Sequence, residues 1–212
     1  MAAYLDDSIM FDSDPIAHVP TSRSLFERLQ NYNLKLSSSK ARLGTTDGNL
    51  LGYSTSPAGL RPNSEKVSAL VKMPMPKDMR QVRALMGGIN YYRNFLPGLS
   101  KRLRPINSLL RTGGTFLFTA ALEKLVGELL AELRALLIVV SPDWDAVIDD
   151  LRPFHVLCDA CIDGFVAALE QEPSDGAMKP IAYITRATLD SETHWIPLDL
   201  EAGGIVWAPK RL

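Results

Sequence analysis

The chain has 212 residues, of which 46% are hydrophobic and 22% are charged, and its formal net charge is −1. This composition is typical of a folded globular protein and argues against extensive disorder, and no apolar run reaches the ~18 residues that a transmembrane helix needs. The first ten residues also lack the basic stretch and the long apolar core of a secretory signal.

The near-zero net charge conceals a basic central stretch. Residues 61–118 carry eleven Lys and Arg residues against two acidic ones, whereas the rest of the chain has an acidic excess. Such a stretch predicts a phosphate-binding surface. The alternative is a solvated helical face that binds nothing, and charge by itself slightly favours this alternative.

Two adjacent carboxylates stand near the start of the chain. The segment Tyr4-Leu5-Asp6-Asp7 lies between apolar residues and predicts a strand, a tight turn and a second strand, with both acids at the tip. Paired carboxylates suit hard divalent cations, and two such ions can catalyse phosphoryl transfer. For these four residues taken alone, a solvated Asp-Asp turn is the more common interpretation.

Hydrophobic periodicity predicts the elements that follow. Up to residue 137 these are a helix over 22–31, strands over 34–36 and 50–54, and helices over 65–72, 78–95, 103–110 and 119–137. The period then changes, which predicts strands over 154–159, 165–169 and 180–184 and a closing helix over 199–208.

The two cysteines, Cys158 and Cys161, form a Cys-x-x-Cys pair. A redox site or half of a zinc site is one interpretation, but the sequence has no second pair to complete it. Alternation places both residues on a strand, where positions three apart point to opposite faces. Two thiols without a disulfide framework fit a reducing, intracellular compartment, cytoplasmic or nuclear.

Seven motifs in one order resemble the Pol polyprotein of Ty3/gypsy-type long-terminal-repeat retrotransposons, in which a reverse transcriptase precedes a ribonuclease H. The motifs are Tyr4-Leu5-Asp6-Asp7, Leu25 to Leu29 with Lys40, Leu51-Gly52-Tyr53, Asn90 to Pro97, Phe116 to Thr119 with Ser141 to Trp144, Asp159-Ala160 with Gly164, and Glu201-Ala202 with Val206 to Ala208.

The resemblance implies a mixed α/β fold in four parts. Residues 1–60 would be the C-terminal part of the reverse transcriptase palm, and residues 61–112 the helical thumb. Residues 113–150 would be a connector helix and linker. Residues 151–212 would be the N-terminal half of an RNase H-like domain, as a truncated three-stranded sheet with one helix.

In the polymerase part, the resemblance implies that Asp6 and Asp7 hold two Mg²⁺ ions while a primer 3′-hydroxyl attacks an incoming dNTP. Tyr4 would lie under the primer end. Lys40 would assist the departing pyrophosphate, with an ordinary surface lysine as an equal alternative. Further nucleic-acid contacts are expected from a primer grip and the thumb, at Leu51, Gly52, Tyr53, Arg80, Arg83, Tyr91, Arg93, Lys101 and Arg102.

In the ribonuclease H part, Asp159 and Glu201 match the first two of four acids that surround two Mg²⁺ ions and cut the RNA strand of an RNA–DNA hybrid. The alternatives are a plain strand-end acid for Asp159 and, for Glu201, an acid that the helix dipole favours in a first turn.

The sequence also departs from the family pattern. The first polymerase aspartate and the last two ribonuclease H acids are missing, and Gly203, Gly204 and Pro209 stand where the family's helix continues. We therefore expect a fragment that is inactive alone, with template–primer, RNA–DNA hybrid and the missing Pol segments as partners and no membrane contact. The alternative is a non-catalytic nucleic-acid-binding remnant that acts through the basic thumb.

Overall fold

A computed structural model of the chain describes residues 2–4, 7–12, 14–111, 116–135, 138–149, 151–173 and 176–212. The fold is mixed α/β, with a two-stranded hairpin, two three-stranded antiparallel sheets and several helices. The strands are β1 (Ala2–Tyr4), β2 (Asp7–Ile9), β3 (Gly48–Leu50), β4 (Tyr53–Ser56), β5 (Gly59–Pro62), β6 (Phe154–Cys161), β7 (Gly164–Gln171) and β8 (Lys179–Ala187).

The helices lie between and after the sheets. They are α1 (Pro15–Asn31), α2 (Ser64–Val71), α3 (Met79–Tyr91), α4 (Leu99–Arg102), α5 (Arg104–Arg111), α6 (Ala120–Arg134), α7 (Trp144–Ile148) and α8 (Pro197–Trp207), with short 3₁₀ turns at 93–95, 192–194 and 208–210. Within the part of the chain that the structure describes, no helix is long and apolar enough to cross a membrane.

The N-terminal hairpin forms as predicted, whereas the first helix is longer than predicted. β1 pairs with β2 in antiparallel register, with Tyr4 opposite Asp7. α1 begins at Pro15, seven residues before the predicted start. The Asp14 side chain accepts a hydrogen bond from the Ile16 amide at 3.0 Å, and proline suits the first helical turn because it has no amide hydrogen to satisfy.

Two predicted strands are wrong in different ways. Residues 34–36 form neither strand nor helix, and Leu34 and Leu36 are exposed, so their alternation does not reflect a buried face. The predicted strand over 50–54 is instead a hairpin: β3 ends at Leu50, β4 starts at Tyr53, and the two residues between them form the turn.

The central helices follow the predicted order with corrected ends. α2 begins at Ser64, one residue before the predicted start, and is capped by Asn63, whose side chain accepts from the Lys66 amide at 3.1 Å. α3 is capped by Asp78, whose carboxylate accepts from the Gln81 amide at 2.7 Å. The predicted single helix over 78–95 ends at residue 91 and continues as a separate 3₁₀ turn.

These helices enclose one continuous hydrophobic core. Its buried members come from α2 to α6 and from the segment after α6: Val67, Leu70, Val82, Leu85, Met86, Ile89, Tyr92, Phe95, Leu96, Leu99, Leu103, Ile106, Val126, Leu129, Leu130, Leu133 and Val139.

The three predicted C-terminal strands all form, and each is longer than predicted. β7 is central between β6 and β8, and α8 covers one face of the sheet. Gly204 of α8 faces β6, since a Cβ placed there would lie 3.4 Å from the Ala160 side chain. The expected three-stranded sheet with one helix is therefore present.

A short segment after α6 joins the two three-stranded sheets. The amide of Leu60 donates to the carbonyl of Val139 at 2.8 Å, and the Val139 amide donates back at 3.0 Å. The next amide, of Val140, donates to the carbonyl of Pro180 on β8 at 2.9 Å. Residues 138–140 thus link β5 to β8.

Candidate functional site

The N-terminal acids are only partly covered by the structure. Asp6 lies outside the described residues, and of Tyr4 and Asp7 only the backbone, paired across the hairpin, is described. Lys40 is exposed in the predicted polar turn, where its amide donates to the Ser37 carbonyl at 3.0 Å. The metal and nucleotide roles of these residues remain predictions.

The expected primer-grip residues form a tight turn. Leu51 and Gly52 are the two residues between β3 and β4, and both have positive φ angles, 48° and 76°. Two consecutive residues in this conformation are typical of the type I′ hairpin turn, whose twist matches that of the flanking strands. Leucine adopts positive φ reluctantly, so tertiary contacts must hold the turn.

Those contacts come from an aromatic cluster of Tyr53, Tyr91, Tyr92 and Phe95. The Tyr53 ring stacks on Tyr91 and on Phe95, with centroid distances of 5.3 and 5.8 Å, and meets Tyr92 edge-on. The Tyr91 hydroxyl donates to the Leu51 carbonyl, and the Tyr92 hydroxyl donates to the Gly52 carbonyl at 3.1 Å.

Burial favours the protonated form of two phenols in this cluster, those of Tyr53 and Tyr92. It raises the pKa of Tyr53 to about 12, and the neighbouring Tyr91 and Tyr92 phenols add to the rise. Burial also raises the pKa of Tyr92 above its ordinary value, with Tyr91 as the second cause. Both hydroxyls therefore remain hydrogen-bond donors throughout the neutral range.

The exposed side of α3 carries a second feature that adjoins the turn. Arg80, Arg83, Gly87 and Tyr91 are all exposed and recur every three or four residues, so they lie along one stripe of the helix. The opposite stripe contributes to the core. The two arginines and Tyr91 are among the predicted nucleic-acid contacts, whereas no sequence motif points to Gly87.

The two glycines of α3 differ in their surroundings. A Cβ at Gly88 would lie 2.5 Å from a methyl group of Leu70, so close packing of α2 against α3 explains this glycine. A Cβ at Gly87 would meet nothing within 4 Å among the described residues. Glycine in an exposed helix interior costs about 0.5–1 kcal/mol relative to alanine, and no internal contact explains that cost at Gly87.

The other cations expected to contact nucleic acid divide into two groups. Lys101 is exposed on α4. The Arg93 guanidinium donates to the Thr185 carbonyl on β8, and Arg102 makes a bidentate ion pair with Glu132 of α6, with both N–O distances at 2.7 Å. Arg93 and Arg102 therefore have internal partners, while Arg80, Arg83 and Lys101 present their charges to solvent.

Asp159 and Glu201 lie on two elements that pack together. Asp159 is on β6, and Glu201 is in the second turn of α8, which contacts that strand. The charge of Glu201 contributes, after burial, to raising the pKa of Cys158, so its carboxylate lies within electrostatic reach of the residue next to Asp159. Successive side chains of a strand point to opposite faces. Ala160 lies on the face of β6 that α8 covers, so the side chain of Asp159 points to the other face.

Both acids are exposed carboxylates, so their chemistry suits a hard divalent cation. Over the described ranges, the His, Cys, Asp and Glu side chains form no group of three or more that could hold a metal ion. The two cysteines lie on β6 and not on a turn before a helix. The raised pKa of Cys158 disfavours the reactive thiolate that a redox Cys-x-x-Cys site needs.

An additional polar site lies beside α8. Arg186 pairs with the buried Glu192 through two contacts of 2.6 and 2.7 Å, and its guanidinium carbon lies 4.1 Å from the centroid of the Phe165 ring. The hydrogen bond from Arg186 is the main reason that the pKa of Glu192 is lowered. This pair borders an open cleft of about 580 Å³, and no sequence motif singles it out.

Comparison with known proteins gives concordant matches. Residues 149–212 match the RNase H-like domain found in reverse transcriptase. The chain is 32% identical over 211 residues to the retrovirus-related Pol polyprotein from transposon 297 of Drosophila melanogaster, covering 98% of this chain and 19% of that protein. It is 23% identical to the transposon Tf2-3 polyprotein of Schizosaccharomyces pombe, covering 97% of this chain and 15% of that protein.

Solved structures share the fold. The foamy viral protease-reverse transcriptase dRH in complex with double-stranded DNA has a TM-score of 0.79 and 20% identity, covering 95% of this chain and 34% of that one. The foamy viral enzyme in complex with an RNA/DNA hybrid has a TM-score of 0.77, also at 20% identity, covering 95% and 26%. The chain thus spans a fifth or less of these two transposon relatives and about a third or less of these two structures.

Proposed function

We propose that this chain serves the RNA-directed DNA polymerase and ribonuclease H of a retrotransposon Pol polyprotein. The chain belongs to the Ty3/gypsy-type Pol polyproteins, and residues 149–212 carry an RNase H-like domain of reverse transcriptase. Its role is to hold template–primer duplex and RNA–DNA hybrid. Residues 1–60 act as the end of the palm, 61–112 as the thumb, 113–150 as the connector and 151–212 as half of the RNase H-like domain.

The exposed stripe of α3 carries this proposal. Arg80 and Arg83 supply positive charge for phosphate contacts, which position a duplex without reading its sequence. Because Gly87 has no side chain, a nucleic-acid backbone can approach α3 closely at this position. Tyr91 ends the stripe beside the Leu51–Gly52 turn, so the stripe and the turn form one continuous surface.

The remaining cations play supporting roles in this proposal. Lys101 extends the positive surface from α4. Arg93 and Arg102 act mainly through their internal partners, holding β8 and α6 in place against the thumb. A further ion pair, between Arg104 of α5 and Asp163 of the β6–β7 turn, joins the thumb to the RNase H-like sheet.

The acids are assigned to two metal sites. Asp6 and Asp7 would hold Mg²⁺ for attack of the primer 3′-hydroxyl on a dNTP, with Tyr4 under the primer end and Lys40 near the departing pyrophosphate. Asp159 and Glu201 would hold Mg²⁺ at the hybrid. When bound, the metal activates the attacking oxygen and neutralises charge on the phosphate.

The chain by itself is expected to bind duplex without catalysing either reaction. The family's sites use a further aspartate in the polymerase part and four acids in the ribonuclease H part, so two carboxylates at each site would hold two Mg²⁺ ions only incompletely. Asp159 and Glu201 support this proposal as two exposed carboxylates on elements, β6 and α8, that pack together.

The test is binding of a fluorescently labelled RNA–DNA hybrid, measured by anisotropy over a series of salt concentrations. Gly87→Ala is expected to raise the thermal stability slightly, because alanine favours a helix and its methyl group meets nothing within 4 Å. The same variant is expected to weaken hybrid binding by about fivefold, equivalent to ~1 kcal/mol. The affinity of the wild-type chain should fall steeply as salt increases.

Gly127→Ala is the matched control. Gly127 is an exposed glycine of α6, and a Cβ there also meets nothing within 4 Å. This variant should gain the same stability and keep wild-type affinity. Equal binding by the two variants, or wild-type affinity that does not depend on salt, would remove the proposed interface. Nucleotide incorporation abolished by Asp6→Ala, or RNA cleavage abolished by Asp159→Asn, would show that the chain is active alone.

A further inference from the structure

Three phenol hydroxyls form a closed set of hydrogen bonds between the β3–β4 turn and the end of α3. Tyr91 donates to the carbonyl of Leu51, and Tyr92 donates to the carbonyl of Gly52. In return, the Tyr53 hydroxyl, from the residue after the turn, donates to the Tyr91 carbonyl at 3.1 Å. Each side of the contact therefore holds the other.

The shape of the turn matches this clamp. A Cβ at Gly52 would lie 3.1 and 3.3 Å from two atoms of the Tyr91 side chain, so a residue with a side chain would push the Tyr91 ring away. The positive φ angles of Leu51 and Gly52 turn both carbonyls toward α3, where the hydroxyls meet them. Ring stacking of Tyr53 on Tyr91 closes the remaining space.

We propose that the Tyr91 and Tyr92 hydroxyls act as positioning groups, fixing the Leu51–Gly52 turn relative to the α3 stripe so that the primer terminus keeps one register with the duplex behind it. This inference rests on the proposed function, since it assumes that the turn and the stripe contact the same duplex. Tyr91 belongs to both features, so a shift of the thumb helix is transmitted directly to the turn.

Tyr92 is the residue on which the clamp can be tested without disturbing the binding surface. It is 4% exposed, so it does not contact a ligand. The Gly52 carbonyl also accepts from the Asn63 amide at 3.0 Å, so it keeps a partner when the Tyr92 hydroxyl is removed. Tyr92→Phe therefore removes one tether of the turn and retains both the ring and the satisfied carbonyl.

The experiment uses a primer–template with 2-aminopurine either at the primer 3′ end or at an internal position under the thumb. Tyr92→Phe is expected to change the affinity by less than about twofold. It should change the fluorescence of the terminal probe on binding and leave the internal probe unchanged. Tyr32→Phe, at a tyrosine that is 79% exposed and directly follows α1, is the control and should change neither probe.

The outcomes separate this inference from the proposed function. If the wild-type chain does not bind the duplex, the proposed function fails. If it binds and both probes respond identically in Tyr92→Phe and wild type, the clamp does not position the primer end. Should Tyr92→Phe fail to fold, Tyr91→Phe removes the other hydroxyl and keeps the stacked ring. Because Tyr91 also lies in the exposed α3 stripe, the change of the terminal probe is then compared with that of the internal probe on the same bound duplex. A wild-type response of the terminal probe there would also overturn the clamp.

Discussion

The helical region, residues 64–111 and 116–134, and the sheet region, residues 154–173 and 176–207, are stabilised in different ways. The helical region supplies nearly all of the continuous hydrophobic core. In the sheet region the buried apolar side chains are few, chiefly Phe165, Ala167 and Leu200, while Leu157 and Ile205 are exposed. The helical region is therefore held mainly by its own apolar packing, and the sheet region depends more on specific polar contacts.

Those polar contacts lie both within the sheet region and at its boundary. Within it, Arg186 pairs with Glu192 and is flanked by the rings of Phe165 and Trp207. At the boundary, the carbonyl of Thr185 accepts from Arg93 of the helical region. The comparison indicates that the helical region forms the platform on which the sheet region is held, which three experiments can test.

The largest expected effect comes from the helical core. Phe95→Ala removes a ring that is 1% exposed and stacked on Tyr53, and it should lower the free energy of unfolding by about 4 kcal/mol. Phe165→Ala, in the sheet region, should cost less, about 2–3 kcal/mol, because Phe165 borders an open cleft that solvent can enter. Urea denaturation followed by far-UV circular dichroism measures both.

Tryptophan fluorescence separates the two regions in the same experiment. The three tryptophans, Trp144, Trp195 and Trp207, all lie outside the helical region. Phe95→Ala should shift both the circular dichroism and the fluorescence transitions, since loss of the platform releases the sheet. Phe165→Ala should shift the fluorescence transition first. A larger loss for Phe165→Ala, or a fluorescence transition untouched by Phe95→Ala, would contradict the comparison.

A second, smaller effect is expected where the two three-stranded sheets are joined. Gly59 has a φ of +127°, and a Cβ there would collide with the backbone carbonyl of Val139. Gly59→Ala should therefore disrupt the paired hydrogen bonds between Leu60 and Val139 and cost about 3 kcal/mol. Gly48→Ala is the control, since a Cβ at Gly48 makes only an ordinary contact, 3.8 Å from Thr55.

The expected signature of Gly59→Ala is separation of the two unfolding transitions, measured by circular dichroism and by tryptophan fluorescence. Wild type and Gly48→Ala should show transitions closer together. If Gly59→Ala unfolds with the same spacing of transitions as wild type, residues 138–140 do not couple the regions.

Much of the fold could be predicted because it follows from local pattern. The predicted helix over 78–95 contains Val82, Leu85, Met86 and Ile89 at helical spacing, and all four residues are buried on the inner face of α3. The three C-terminal strands and the family resemblance are likewise confirmed. Such features depend on residues a few positions apart, so a single sequence reports them.

The rest depends on contacts between distant residues. Leu51 adopts a positive φ because tyrosines 40 residues later hold its turn, which no local propensity indicates. Arg93 donates to the Thr185 carbonyl, 92 residues away, and no local pattern indicates this internal partner; its nucleic-acid contact stays a prediction. The roles of Asp159 and Glu201 as metal ligands stay predictions, although the fold brings their elements together.

The smallest expected effect is the response to alkaline pH, and it too distinguishes the regions. The pKa of Tyr53 is raised to about 12, so between pH 10 and 12 the unfolded chain releases this proton while the folded chain retains it. The folded state then binds more protons, and the free energy of unfolding falls as pH rises through this range, with no contribution from this group below pH 10. Tyr53→Phe should reduce the fall seen by circular dichroism, after a pH-independent loss of about 1 kcal/mol for the hydroxyl's hydrogen bond.

Burial also raises the pKa of Tyr183 in the sheet region, so Tyr183→Phe should instead reduce the fall seen by tryptophan fluorescence. If Tyr53→Phe and Tyr183→Phe reduce the alkaline fall in stability equally, whether circular dichroism or fluorescence is measured, the two regions unfold as one unit. The contrast between them then lies in their packing and not in their independence.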